Sequence, residues 1–381
     1  MFLRLCYIVA DNLSFINKFF ELSAIIVRRS VLTYPARGDI IVSGNTRKIT
    51  AAFDRGARGI IMSDLTELQK RFINLRFGTF IHFNSGTAQF YTGEVEDWEY
   101  AHENCGEPRR FPFNEKDWAP SHIDCTRWAQ VAKSAGCRFA ALTSKHHEGF
   151  ANWPTAYSEH CVRNATVKTD IVGEYLRAFR NAGIVAGLYF SVLDLTAECN
   201  RKNFTAEHRR MVFGQLEELL TNYGEIPFLM IDGWNSPWGG PSYEVLPFEE
   251  VEGFVKSIQP DCLVMNIGWN RDVQKSDIVF YENGAGQEVS GKFEGPGILC
   301  QKLTRTWMWR ETDRKSIERD ADWAIEQMKK YFPMNINFML NISPDRDGQV
   351  DEIQAREFAR IGEKLILPAP VGEIPDGWLR R

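Results

Sequence analysis

The chain's 381 residues are 44% hydrophobic and 25% charged, with a formal net charge of −5. That is the composition of a soluble globular protein with ample core. Mild acidity argues against nucleic acid as the main partner, since duplex binders carry basic patches, and no apolar run reaches the roughly 18 residues a membrane span needs.

The N-terminus, Met1 to Ala10, has a short apolar stretch stopped by Asp11, without a full hydrophobic region or a small-residue cleavage site. It reads as no signal peptide, favouring a cytoplasmic location over secretion. Residues 1–64 do not match the regular pattern of the remaining chain: Ser14 to Val31 has helical spacing, whereas Gly38 to Ile61 is broken and basic. They form an N-terminal extension of unknown role, and 65–381 form one domain. The spacing predicts a helix over 65–75 and a first strand over 77–83, then a long polar and aromatic loop to about Ser121. Further strands are predicted at 137–144, 184–191, 227–232, 262–267, 277–282, 304–309 and 337–342. Helices are expected over 123–135, 170–182, 206–223, 248–258, 315–331 and 352–365, with only a glycine-rich connection after the sixth strand.

Unbroken apolar strands alternating with helices argue for a parallel sheet buried on both faces. Eight strands are enough to close a barrel, and no glycine fingerprint follows the first strand as an open dinucleotide-binding sheet would require. The expected fold is therefore a (β/α)8-type barrel. The eight cysteines contain no CxxC pair and read as reduced packing residues.

The predicted strand exits collect His82 and Asn84, His146 and His147, Tyr189 and Asp194, Asp232 with Trp234, Asn266, Glu282, and Trp307 with Trp309. Active sites of such barrels lie at this C-terminal end. Asp232 ends an apolar strand, where an unpaired carboxylate is costly to bury. It is either a cap on the turn at Gly233 and Trp234 or a nucleophile or general base at the mouth. Glu282 closes Val279-Phe280-Tyr281 in the same way, its alternative being a solvated loop glutamate. Two carboxylates flanking a cleft are the machinery of glycoside hydrolysis, about 5–5.5 Å apart in retaining enzymes and about 6.5–9.5 Å in inverting ones. Histidines beside them would bond sugar hydroxyls, and tryptophans would pack on C–H faces.

A metal-dependent barrel hydrolase is the competing reading, with His82, His146, His147 and Asp232 as ligands. Adjacent residues of a regular strand point to opposite sides, so His146 and His147 reach one ion only across a bulge. No His-x-His or His-x-x-x-His spacing occurs. No metal and no cofactor are expected.

Five blocks of sequence resemble the α-L-fucosidases of glycoside hydrolase family 29. They are Arg76 to His82, the double-histidine block Leu142-Thr-Ser-Lys-His-His-Glu-Gly-Phe150, Gly187 to Ser191, Ile231-Asp-Gly-Trp234, and Asn337 to Gly348. The resemblance implies a glycosidase catalytic domain over 65–381 that retains configuration through a covalent fucosyl-enzyme, with Asp232 as nucleophile. It implies that His82, His146 and His147 bind the terminal sugar, with Trp98, Tyr189 and Trp234 lining the pocket. The substrate would be a glycan or small molecule bearing terminal L-fucose. The motif does not fix the acid/base: Glu282 is the choice, with Glu288 and Glu294 as substitutes. The sequence departs from the family pattern at Phe83-Asn84, where Trp-Gly is usual, at Asn266-Ile-Gly-Trp269, and in lacking a β-sandwich after the barrel. Those changes leave a related sugar such as α-L-galactose open as substrate.

Overall fold

The structure, a computed structural model, describes residues 64–89, 114–236, 239–268, 276–283 and 287–379. The predicted N-terminal extension, apart from Asp64, and Trp98 lie outside them.

Most helices start where a side chain can take up their unpaired first N–H groups. Asp64 does so for α1 (Leu65–Ile73), which leads into β1 (Phe77–Ile81) and the short α2 (Ser85–Gln89). Asp124 caps α3 (Cys125–Ser134) ahead of β2 (Phe139–Lys145), and Asp170 caps α4 (Ile171–Asn181) ahead of β3 (Val185–Ser191). A capping box of Thr205 and His208 opens α5 (Ala206–Asn222), followed by β4 (Phe228–Asp232), α6 (Phe248–Ile258) and β5 (Leu263–Asn266). Next come β6 (Val279–Tyr281), β7 (Gly297–Gln301), α7 (Ala321–Tyr331), β8 (Ile336–Ile342) and α8 (Glu352–Lys364).

Every ladder is parallel, and the strand order is β5-β4-β3-β2-β1-β8-β7-β6, with the first strand paired to the last. One seam remains, between β5 and β6, and side chains complete it. Asp277 N–H donates to Val264 O at 2.9 Å, while the Asp277 carboxylate accepts Val264 N–H at 2.8 Å. One step along, the Ser276 hydroxyl oxygen accepts Asn266 N–H at 3.0 Å. These oxygens take the place of a strand's carbonyls, and Lys256 on α6 neutralises Asp277 from 2.8 Å.

The barrel interior alternates very large and very small residues, as layers of inward side chains must to fill a closed sheet. A Cβ on Gly78 would lie 2.5 Å from the Phe139 ring, and one on Gly187 would lie 2.6 Å from the Phe228 ring. Phe72 of α1 packs on both rings, 5.0 and 5.2 Å between centroids, and so plugs the N-terminal end. A second core lies between strands and helices and includes Trp128, Tyr175, Phe179, Leu216 and Val251.

The last third departs from the sequence expectation. The seventh strand is Gly297–Gln301, not 304–309, and α7 begins at Ala321 rather than residue 315. The run 304–309 has strand-like composition, but its threonines bond locally. Thr304 Oγ1 donates to Thr306 O and Thr306 Oγ1 to Met308 O, each at 2.8 Å, which favours bends over a ladder.

Candidate active site

Parallel strands bring their C-terminal ends to one face, and four of the residues predicted there, His82, His146, His147 and Tyr189, gather around Asp232. Its carboxylate accepts the Tyr189 hydroxyl at 2.8 Å and Gly233 N–H at 2.5 Å, and His147 Nε2 stands 3.6 Å away. Burial raises the Asp232 pKa above the ordinary carboxylate value, while the Tyr189 and Gly233 bonds and the nearby His146 oppose that rise. Tyr189 is itself pushed well above the usual phenol value, first by burial and then by Asp232, so it stays a donor.

Contrary to the opposite-faces expectation, His146 and His147 share the mouth. The β2–β3 register shifts between Thr143 and Lys145, and β2 ends at Lys145, so the two imidazoles lie 4.4 Å apart. His146 stacks on Tyr189 at 5.5 Å and lies 5.8 Å from the His82 ring.

Each imidazole is backed by an oxygen at its Nδ1. His82 pairs with Asn341 Oδ1 at 2.6 Å, His146 with Glu148 Oε2 at 3.2 Å, and His147 with Ser191 Oγ at 2.7 Å. Ser191 gives its own proton to Leu193 O at 2.7 Å, so its oxygen accepts from His147, whose Nδ1 carries the hydrogen. His147 Nε2 is then the basic nitrogen facing Asp232. Burial first, and mutual repulsion of the imidazoles second, hold His82 and His147 well below the usual histidine pKa. A neutral His147 cannot form an ion pair with Asp232, so the carboxylate keeps its charge available. Trp307 stacks on His82 at 5.2 Å and supplies an aromatic wall.

Glu282 is half-buried at the exit of β6, and its charge is among those acting on Tyr189 and Cys300. The two substitutes are placed differently. Glu288 is exposed on the turn beyond Gln287. Glu294 O accepts from Asn335, which precedes β8, so Glu294 lies at the barrel end opposite Asp232. Trp234 also differs from expectation. It is fully buried, donates to Leu246 O at 2.7 Å, stacks on Tyr243 at 5.4 Å and meets Phe248 edge to face at 5.7 Å. It therefore braces Tyr243, whose hydroxyl reaches Asn266 at 2.9 Å, and does not present a face at the mouth.

The sequence pointed to Glu148 only as part of a ligand-gripping cluster, not as the partner of His146, gave no role to Ser191 or Asn341, and put Trp307 on a strand. The available signal was that buried imidazoles need oxygen partners, and each of these residues sits at a strand exit. Among the described residues no group of three or more His, Cys, Asp or Glu has a metal-binding arrangement. Nor is any helix among them long and apolar enough to cross a membrane.

The "Tissue alpha-L-fucosidase" of Mus musculus is 24% identical over 327 residues, covering 79% of this chain and 70% of the relative. "Alpha-L-fucosidase 1" of Arabidopsis thaliana is 37% identical over 274 residues, or 64% of this chain, which spans only about half of that relative, 52%. The solved structure of alpha-L-fucosidase isoenzyme 1 from Paenibacillus thiaminolyticus superposes with a TM-score of 0.62 at 23% identity, covering 79% and 76% of the two chains. A Bacteroides thetaiotaomicron alpha-L-fucosidase, described as a trapped covalent intermediate in complex with 2-fluoro-fucosyl fluoride, gives 0.62 at 20% identity, with 79% and 74% covered. The family model described as "Alpha-L-fucosidase" matches residues 61–366, so the chain belongs to the alpha-L-fucosidase family, glycoside hydrolase family 29.

Proposed function

We propose that this chain is an exo-acting, retaining α-L-fucosidase that hydrolyses terminal α-L-fucosyl linkages of glycans. The observation that carries the reading is the seating of Asp232. It is a half-buried carboxylate at the end of β4, oriented by the Tyr189 hydroxyl at 2.8 Å and kept clear of a cationic neighbour by a neutral His147. In the first step an Asp232 oxygen bonds the anomeric carbon as the bond to the leaving oxygen breaks. Glu282 gives that oxygen its proton. In the second step Glu282, now a carboxylate, takes a proton from water, whose oxygen displaces Asp232; this restores the Asp232 carboxylate and the Glu282 acid. Two inversions give net retention.

His82, His146 and His147 are the sugar's hydrogen-bonding partners. Such bonds lower the barrier to the extent that they tighten as the ring flattens toward an oxocarbenium ion. Trp307 offers the apolar face, and Trp98 enters on the family resemblance alone. Glu282 is preferred as acid/base because, unlike Glu294, it stands at the same end of the barrel as Asp232.

The direct test is release of nitrophenol from an aryl α-L-fucoside by the wild type and by Asp232→Gly. Turnover that is lost in the variant and partly restored by azide supports the reading; a variant retaining most of its activity sinks it. One observation favours a second sugar. Asn84, two residues beyond His82, is fully buried with neither amide atom hydrogen-bonded. An extra hydroxyl, such as that on C6 of L-galactose, would satisfy it. A higher kcat/KM on the aryl α-L-galactoside than on the fucoside would select that reading.

A further inference from the structure

Lys145, the last residue of β2, precedes the two histidines, yet its side chain is fully buried and reaches the helical layer. Its Nζ lies 3.5 Å from Asp194 Oδ2 and donates to Gln215 Oε1 of α5 at 3.0 Å, over the Phe190 ring at 4.5 Å. Asp194 belongs to the segment that follows β3. Its Oδ1 accepts Ala197 N–H at 2.8 Å, and its backbone pairs with Cys199 in both directions, at 3.1 and 2.9 Å. The same carboxylate sits against Gly149, whose φ is +93° and where a Cβ would lie 2.0 Å from Oδ1. Leu195 N–H donates to His147 O and Thr196 Oγ1 to Glu148 O, each at 2.8 Å, docking the histidine turn on that segment. Ser191, which fixes the His147 ring, ends β3 just before it.

A buried ion pair is a weak source of stability. Apolar residues of similar volume often serve as well or better, whereas removing one partner strands a charge. Nor does the pair touch the reacting groups. What it joins is the end of β2, the histidine turn and the segment behind them. We propose that Lys145 and Asp194 are a positioning pair: they fix the bulged turn that delivers both His146 and His147 to the mouth and hold His147 Nε2 3.6 Å from Asp232. In this account a small displacement of His147 acts directly on the nucleophile's surroundings.

The test replaces the pair by an apolar one, Lys145→Met with Asp194→Leu, in the full chain. The inference rests on the fucosidase reading for its kinetic readout, so an activity-independent one is added: the imidazole Nδ1 proton of His147, followed by NMR. The expected variant is folded, with a melting temperature at or above wild type. Its kcat falls about tenfold to a hundredfold, more than KM changes, and its His147 resonance is shifted or lost. Asp194→Asn, which keeps the volume but strands the Lys145 charge, melts lower than wild type; measured per folded molecule it shows the same fall in kcat and the same change at His147, and it serves should the double variant not fold. An unchanged resonance, a kcat within about twofold of wild type, or a loss that tracks the folded fraction overturns the assignment. A wild type that turns over no α-L-fucoside, with the resonance still lost in the variant, sinks the functional reading and leaves the positioning role standing.

Discussion

Tyr189→Phe removes one oxygen and one hydrogen bond while leaving the ring that stacks on His146 at 5.5 Å in place. The bond lost is the 2.8 Å contact to Asp232 Oδ2, which favours the ionised carboxylate against the burial that raises its pKa. A hydrogen bond to a charged group is worth about 1.5–3 kcal/mol, and about 1.4 kcal/mol corresponds to one pH unit. With that bond gone, Asp232 holds its proton to higher pH. The acidic limb of the kcat/KM profile, which reports the free enzyme, therefore moves up by about one to two pH units. The assay is hydrolysis of an aryl α-L-fucoside across the acidic range for both proteins, with folding checked at each pH. An acidic limb that stays put or moves down refutes the assignment of Tyr189 as the group that keeps Asp232 ionised.

Asp232→Asn is expected to stabilise the fold near neutral pH. Because the folded-state pKa of Asp232 is raised, its stabilising contribution is present below the ordinary carboxylate pKa and lost as pH rises through the folded value. The variant should melt higher than wild type at neutral pH, with the gap closing in acid; a lower melting point at neutral pH contradicts the burial argument. At the barrel seam, Asp277→Ala leaves Val264 N–H without its acceptor and Lys256 without its 2.8 Å partner. The cost should be about 2–4 kcal/mol in urea denaturation, and a change below about 0.5 kcal/mol, the size of an ordinary surface substitution, would mean the seam is held elsewhere.

The barrel was legible because strands such as Phe139–Lys145 and Phe228–Asp232 are unbroken apolar runs set between capped helices. Asp232 was legible for the complementary reason, as a carboxylate closing the apolar run Phe228 to Ile231. The seventh strand was not. Thr304 to Trp309 has the composition of a strand, and only the threonine-to-carbonyl bonds within it reveal bends. The bulge after Thr143 was equally hidden, because a register shift depends on the neighbouring strand and not on local sequence. Trp234 misled through its position beside Asp232: a turn intervenes, and its indole reaches Leu246 and the helical layer. The residues behind the histidines, Asn341, Glu148 and Ser191, come from three separate strand exits, and their convergence is a property of the closed sheet.

The central claim is that Asp232 attacks the sugar. Incubating the enzyme with 2-deoxy-2-fluoro-α-L-fucosyl fluoride, digesting it and sequencing the labelled peptide by mass spectrometry tests that claim most directly. The expected product carries one fluorofucosyl group, attached to the carboxylate of Asp232. A label on any other residue, or continued turnover of the fluoride with no adduct, contradicts it.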